Sequence, residues 1–348
     1  MNKGILTVTV NPAVDVTVVS PAAGQLRMRC PPRQRRGETS PTKIFDFGEA
    51  GSTRHSQLRM RCSTNCVLSA GGKGINVARA LRALRVRALA VGAAGGETGE
   101  FLRKLLRKER IPAEFVEVRE STRLNVTVLG PRHGHSSRVL GEGPRLTPRE
   151  LRRFEDQYRR WLRRSRWVVL CGRNAVGAPA DWYAKLIHLA RKEGVPAAVD
   201  TGGAALAASL KAKPFLVKPN REEAEELVSC RLDSPSRIKK VLRYFHGRGV
   251  RVVLLSLGAQ GAVASDGREI WCARPPRVRA VNEVGCGDAL LAGFLSAFGK
   301  EPLAGALRRG VACGTANVFN PAPGLIRPGD VSRLMKKVAV SNRGTPGR

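Results

Sequence analysis

The sequence predicts an α/β chain built around a doubly wound, mostly parallel sheet, and three observations carry that prediction. Short apolar runs at 5–10, 88–91, 167–170, 197–199, 215–217 and 252–257 are mostly continuous, as strands covered on both faces require. Between them, 75–84, 99–109, 148–163, 180–193, 221–228 and 237–247 place polar and apolar residues at helical spacing. Many of these stretches open on a capping residue or proline, as at Thr147-Pro148 and Ser236. Alternating strands and helices make βα units, and such sheets hold their sites in loops at the carboxyl ends of the strands.

The 348 residues are 42% apolar and 5% aromatic, enough to bury a core of Val, Leu and Ala and to exclude disorder throughout. No uninterrupted apolar run reaches the ~18 residues that a membrane span needs. The first ten residues lack the features of a signal peptide, so a cytoplasmic protein is expected. The net charge is +33, with 46 Arg against 15 Lys. A surplus of that size raises nucleic acid as a partner. Arginines spread along stretches such as 149–166 read better as solvated faces, and a positive field also suits an enzyme of anionic substrates. The eight cysteines form no CxxC pair and no zinc-finger spacing, which suits a reduced compartment with small buried thiols.

The segment QLRMRC occurs twice, at 25–30 and 57–62. The sequence between the copies is rich in Pro, Gly and Arg, with little apolar periodicity. It reads as an insertion over 31–62, expected to be a mobile, solvated loop. The alternative, a nucleic-acid-binding arm, has no aromatic beyond Phe45 and Phe47 to support it. Residues 338–348 are expected to fray.

Five segments carry chemistry. In NEVGCGDALLAGFLSA (282–297), a glycine-framed turn at Gly285, Cys286 and Gly287 opens an apolar helix expected to start at Asp288. Amides at a helix start lack internal partners and carry partial positive charge, so an anion can approach there. A carboxylate at that point also reads as a cap. AGGKGINVARAL (70–81) is a second glycine turn entering a helix, with Lys73 among the amides, which suits a phosphate or a polar sugar. It lacks Walker spacing. PFLVKPNREE (214–223) ends a strand at Lys218 and sets Asn220 and Glu223 three apart. That pair can share a hydrated Mg2+ or form a plain capping box. LLSLGAQGA (254–262) ends a strand in a glycine loop. NPAVD (11–15) and TRLN (122–125) offer Asp15 to hydroxyls and the Arg123 fork to phosphate, or serve as turn formers and ion pairs.

In this order and spacing the segments resemble the PfkB/ribokinase family of sugar kinases, most closely its 1-phosphofructokinase and tagatose-6-phosphate kinase branch. The resemblance covers about residues 5–335 apart from the insertion. It implies a single ribokinase-like domain over 1–335, with a small β lid at about 16–70 that contains the insertion, and a tail at 336–348. It implies transfer of the ATP γ-phosphoryl group to a sugar phosphate, with fructose 1-phosphate favoured and tagatose 6-phosphate or fructose 6-phosphate as alternatives. By this resemblance Asp288 is the general base, and the amides of Gly285, Cys286 and Gly287 form the anion hole. Asp15, Gly72, Asn76 and Asn125 orient the sugar, while Lys73 and Arg123 bind its phosphate. Lys218, Ser256, Gly258 and Gly261 line the nucleotide pocket together with Asn220, and Asn220 and Glu223 organise Mg2+. Lid strands of such kinases often pair between subunits, which points to a homodimer.

Departures from the pattern set expectations too. Cys286 stands where Ala is usual, which keeps the amide and suggests sensitivity to oxidation. Glu283 brings a carboxylate close to the turn. Arg173, in CGRNAVG (171–177), adds a cation where a Ser-Gly-Ser-Leu-Pro-like loop is usual. The insertion would hinder lid closure. A catalytically impaired, basic nucleic-acid-binding protein is the reading from another class.

Overall fold

The computed structural model describes residues 3–19, 43–45, 60–62, 66–129 and 136–346. The chain opens with β1 (Gly4–Thr9), β2 (Ala13–Val19), β3 (Lys43–Phe45), β4 (Met60–Cys62), β5 (Cys66–Gly71) and α1 (Lys73–Ala83). It continues through β6 (Ala88–Ala94), α2 (Gly96–Lys108), β7 (Ala113–Glu117), β8 (Arg123–Leu129), β9 (Ser136–Leu140), α3 (Pro148–Leu162), β10 (Ser165–Cys171), α4 (Trp182–Lys192), β11 (Ala197–Asp200), α5 (Gly203–Lys211) and β12 (Leu216–Val217). It closes with α6 (Arg221–Val228), α7 (Pro235–His246), β13 (Val252–Ser256), β14 (Ala262–Ser265), β15 (Ile270–Arg274), α8 (Cys286–Ala297), α9 (Leu303–Asn317), α10 (Pro328–Met335) and β16 (Ala339–Asn342).

Ten strands form the main sheet in the order β16-β15-β14-β13-β12-β11-β10-β1-β6-β7. From β7 to β13 every pairing is parallel, as the continuous apolar runs predict. Strand residues alternate between two cores. Leu6, Val168 and Leu170 face a core closed by Phe154, Tyr158, Trp182 and Phe245 of α3, α4 and α7. Ile5, Trp167 and Val169 face the other, closed by α1, α8, α9 and α10. Two-sided burial with period two makes the register unforgiving, because a slip of one residue would exchange the faces.

A four-stranded second sheet, β5-β2-β8-β9, rests on Val14, Ala70, Ile75, Leu102 and Leu106. It is the sheet that the family resemblance expects as the lid, and β5 runs from it directly into α1. Of the inserted segment only β3 and β4 are described; they pair antiparallel. The loop expected around them lies outside the described residues.

The elements missed by pattern reading have physical reasons. β14 to β16 form an antiparallel edge on the parallel sheet. The tail does not fray throughout, because β16 pairs with β15 from Ala339 to Asn342. Helix α9 contains Gly305, Gly310 and Gly314, which lower helix propensity. Those glycines instead permit close packing: a Cβ at Gly310 would lie 2.9 Å from the Leu290 carbonyl oxygen. The helix expected to begin at Asp288 begins at Cys286, so Asp288 lies within its first turn.

Phe154 is fully buried, with its ring 5.2 Å from that of Trp182. Phe154→Ala should cost about 3–5 kcal/mol of unfolding free energy. Urea melts check this, and an unchanged midpoint would contradict the packing of α3 on the sheet.

Candidate active site

Gly285 caps α8 with φ of 86°, and a Cβ there would meet the Gly324 amide at 2.6 Å. Only glycine meets both demands. The first-turn amides that follow have no partner within the helix and carry the positive end of its dipole. The Cys286 amide makes a 3.3 Å contact to the Glu283 carbonyl. Asp288 sits in this turn, buried, and its Oδ2 accepts a hydrogen bond from Asn76 Nδ2 at 2.8 Å. Burial first, and the nearby Asp200 charge second, push the Asp288 carboxyl up to about 6. Lys73, the Asn76 amide and Lys218 act in the opposite direction.

The Cys286 thiol is pushed up to about 12, mainly by burial, while Asn317 Nδ2 donates to its Sγ and opposes the shift. A thiol held protonated is a weak nucleophile, which argues against the expected oxidation sensitivity. Glu283 is exposed.

Asp200, at the end of β11, lies at the centre of the charged site, and sequence reading missed it. Lys73 Nζ donates to Asp200 Oδ1 at 2.8 Å, and Lys218 Nζ lies 3.3 Å from Oδ2. Burial opposes ionisation of Asp200, but Lys218 and Lys73 outweigh it and hold the carboxyl below its ordinary range. Burial likewise opposes the Lys73 charge, while Asp200, Asp288 and Glu223 overcome it and keep the ammonium firmly protonated. A Cβ on Gly287 would lie 3.2 Å from Lys218 Nζ, so that cation stands beside the helix start. The available sequence signal was a carboxylate closing an apolar run, followed by Thr201-Gly202-Gly203.

Asn220 and Glu223 form a reciprocal capping box. Asn220 Oδ1 accepts from the Glu223 amide at 2.7 Å, and Glu223 Oε2 accepts from the Asn220 amide at 2.9 Å. Glu223 Oε1 is left facing Lys73 Nζ at 3.9 Å. Among the described residues no group of three or more His, Cys, Asp or Glu is arranged for a metal ion. One carboxylate oxygen beside a cation still fits a hydrated Mg2+ delivered on phosphate oxygens. Asn220 also bridges to Ser256 at the end of β13, and Gly258 and Gly261 follow in the next turn.

The lid supplies the remaining groups. Asp15 lies opposite Ser69 of β5 and Asn125 of β8. Gly71 leaves room for this carboxylate beside β5, since a Cβ there would meet it at 2.2 Å. Asn125 Nδ2 donates to Asp15 Oδ1 at 2.8 Å. Burial raises the Asp15 carboxyl against the pull of Asn125, Arg79 and Arg123. Arg123 donates to the Gly141 and Asn11 carbonyls at 3.0 and 3.1 Å. Burial, with the Arg173 charge adding to it, lowers the Arg123 guanidinium, while Asp15 opposes. Ser69 Oγ, Asn125 Oδ1 and Arg123 Nε are buried without a hydrogen-bond partner. Orphaned polar atoms on neighbouring strands suit a ligand rich in hydroxyls. Ser69 was not singled out in the sequence.

Asn76, Lys73, Asp288, Lys218 and Glu223 thus meet around Asp200, while Asp15, Asn125 and Arg123 meet on the lid. Gly72, at φ 113°, joins the two as the turn between β5 and α1. A cavity of about 560 Å³ opens elsewhere, at the amino ends of β1, β6 and β10, and holds none of the expected site residues. Among the described residues no helix is long and apolar enough to cross a membrane.

The chain is similar to proteins of known activity. The model of the pfkB family carbohydrate kinases matches residues 57–328. A 1-phosphofructokinase of Bacillus subtilis (strain 168) is 33% identical over 251 residues, which cover 72% of this chain and 82% of that protein. The crystal structure of Escherichia coli phosphofructokinase-2 in complex with fructose-6-phosphate superposes with a TM-score of 0.77 at 27% identity, covering 97% of this chain and 99% of that one. The tetrameric inhibited form of the same enzyme gives 0.78 at 28% identity, again over 97% and 99%. The chain belongs to the pfkB family of carbohydrate kinases, and is a phosphotransferase with an alcohol group as acceptor. The family match begins at residue 57, beyond Asp15 and most of the inserted segment.

The raised Asp288 carboxyl has a consequence for stability. Its ionisation opposes folding, so the penalty grows as pH rises from the unfolded value near ~4 and is complete above about 6. Asp288→Asn should therefore melt at a higher temperature than the native chain at pH 7.5. The gap should close toward pH 4.5 in calorimetry. A lower melting temperature for the variant at pH 7.5 would contradict the desolvated carboxylate.

Proposed function

We propose that the chain transfers the γ-phosphoryl group of ATP to fructose 1-phosphate, giving fructose 1,6-bisphosphate. The observation that carries the reading is a buried carboxylate, Asp288, in the amide-bearing first turn of α8 with two lysines alongside. Phosphoryl transfer demands alignment and charge stabilisation more than covalent participation by the protein. The site supplies a base, oriented amides and fixed cations at one point.

Asp288 accepts the proton of the sugar hydroxyl as the new O–P bond forms and the bond to ADP breaks. The amides at Gly285 to Gly287 face the charge that builds on the migrating group. Lys218 and Lys73 add positive charge while Asp200 holds them in place. Glu223 Oε1 would hold a hydrated Mg2+ through water, and the ion, when bound, would supply charge neutralisation at the nucleotide phosphates. Ser256, Gly258, Gly261 and Asn220 form the nucleotide side of the site.

On the lid, Asp15, Ser69 and Asn125 bind sugar hydroxyls, and Arg123 binds the existing phosphate. Its two terminal nitrogens each keep one N–H beyond those given to carbonyls. The contacts of Lys73 are with Asp200 and Glu223, so Lys73 serves the transferring group more directly than the sugar phosphate. The basic surface and the single kinase domain need no nucleic-acid partner. The outer edge of β9, unpaired among the described residues and carrying exposed Val139 and Leu140, is the surface through which two lids would pair in a cytoplasmic homodimer. Fructose 6-phosphate is the second reading, supported by the Escherichia coli neighbour that binds it.

The test is turnover with Mg-ATP across fructose 1-phosphate, tagatose 6-phosphate, fructose 6-phosphate and a nucleoside. Fructose 1-phosphate should give the highest kcat/KM. Asp288→Asn should lower kcat by roughly 10²–10⁴-fold while nucleotide binding, read by calorimetry, persists. Preference for the nucleoside, or normal turnover by the variant, would overturn the assignment.

A further inference from the structure

We propose that Arg79 is a positioning residue that fixes the amide of Asn76 and thereby holds the hydrogen-bond donor of the Asp288 carboxylate. The inference deepens the kinase reading above and rests on it. Arg79 lies on α1 one turn beyond Asn76 and is 4% exposed. All five of its N–H groups are used. Nε and one N–H of NH2 bind the Glu109 carboxylate at the end of α2. The second N–H of NH2 donates to the Ala70 carbonyl at 2.6 Å. NH1 donates to the Pro323 carbonyl at 2.7 Å and to Asn76 Oδ1 at 2.9 Å.

This last contact decides which way the Asn76 amide faces. A guanidinium only donates, so the Asn76 atom facing it must be the oxygen. The nitrogen is thereby turned to Asp288, whose ionised carboxylate only accepts. Without the guanidinium the amide can rotate and present its oxygen to the base. Lysine cannot replace the fork, since it has three donors about one point and cannot span four partners.

The same side chain secures the surroundings of the base. Pro323 and Gly324 lie against Gly285, where a Cβ would meet them at 2.9 and 2.6 Å. Ala70 lies at the end of the lid strand that carries Ser69. One buried cation therefore connects the lid hinge, the partner of the base and the loop behind the amide turn. Its ion pair with Glu109 offsets the cost of burial. The charged and titratable groups facing Asp288 are Lys73 on α1, Asp200 at the end of β11, Lys218 after β12, Cys171 at the end of β10 and Cys286 in its own turn.

The test is the acidic limb of kcat/KM against pH for Arg79→Lys, Asn76→Ala, Glu109→Ala and the double variants with Asn76→Ala. Losing the donor to a carboxylate should move that limb upward by about one pH unit in Arg79→Lys and in Asn76→Ala. The double variant should move no further than either single one. An unmoved limb in folded Arg79→Lys, or additive shifts, would overturn the proposal. If Arg79→Lys does not fold, Glu109→Ala decides. It frees the guanidinium from outside the site and should shift the limb the same way, with no shift in the Asn76→Ala background. If no phosphosugar is turned over, the kinase reading fails. The Asp288 carboxylate titration, followed by carbon-13 NMR in the same variants, then judges the positioning role alone.

Discussion

The site depends on the burial of an ionisable carboxylate at the start of a helix. Asp288 is buried in the first turn of α8 against Asn76 of α1. Its ionisation is costly, and the cost is offset only by neighbours fixed before substrate arrives. These are the Asn76 amide, two lysines and the positive end of the α8 dipole. They come from α1, from the residue after β12 and from α8, so the site exists only when the sheet order and the α1–α8 contact are both correct.

That dependence explains why the helices behind the sheet pack so closely. α9 carries three glycines that cost helix propensity yet bring its backbone to the Leu290 carbonyl of α8. The large aromatic side chains of α3, α4 and α7 fill the opposite core, where no chemistry is required. Propensity is lost where backbones must meet and recovered where side chains fill space. The lid contrasts with both. Its polar atoms on β5 and β8 are buried but incompletely paired, an arrangement that suits a surface made to hold a polyol.

Much of this was legible in the sequence. The parallel strands were readable because burial on both faces leaves continuous apolar runs. The glycine turns at Gly72 and Gly285 were readable because few other residues tolerate such backbone. Asp200 was not, since one carboxylate closing a short strand resembles any turn residue until the fold brings Lys73 and Lys218 to it. Arg79 was hidden among 46 arginines, most of which stand on solvated faces. The edge strands β14 to β16 and the strand β9 escaped because short antiparallel strands, with no crossover helix between them, leave little pattern. Asn220 and Glu223 showed both of their readings in advance. The capping box is what they form, and only the outer oxygen of Glu223 remains for a hydrated ion.

The most direct measurement is a crystal structure with a non-hydrolysable ATP analogue and fructose 1-phosphate bound. The account predicts the free primary hydroxyl of the sugar at about 3 Å from the Asp288 carboxylate. It also predicts the terminal phosphoryl group resting on the amides of the first α8 turn. A terminal phosphorus held elsewhere, with those amides turned to protein carbonyls, would contradict it.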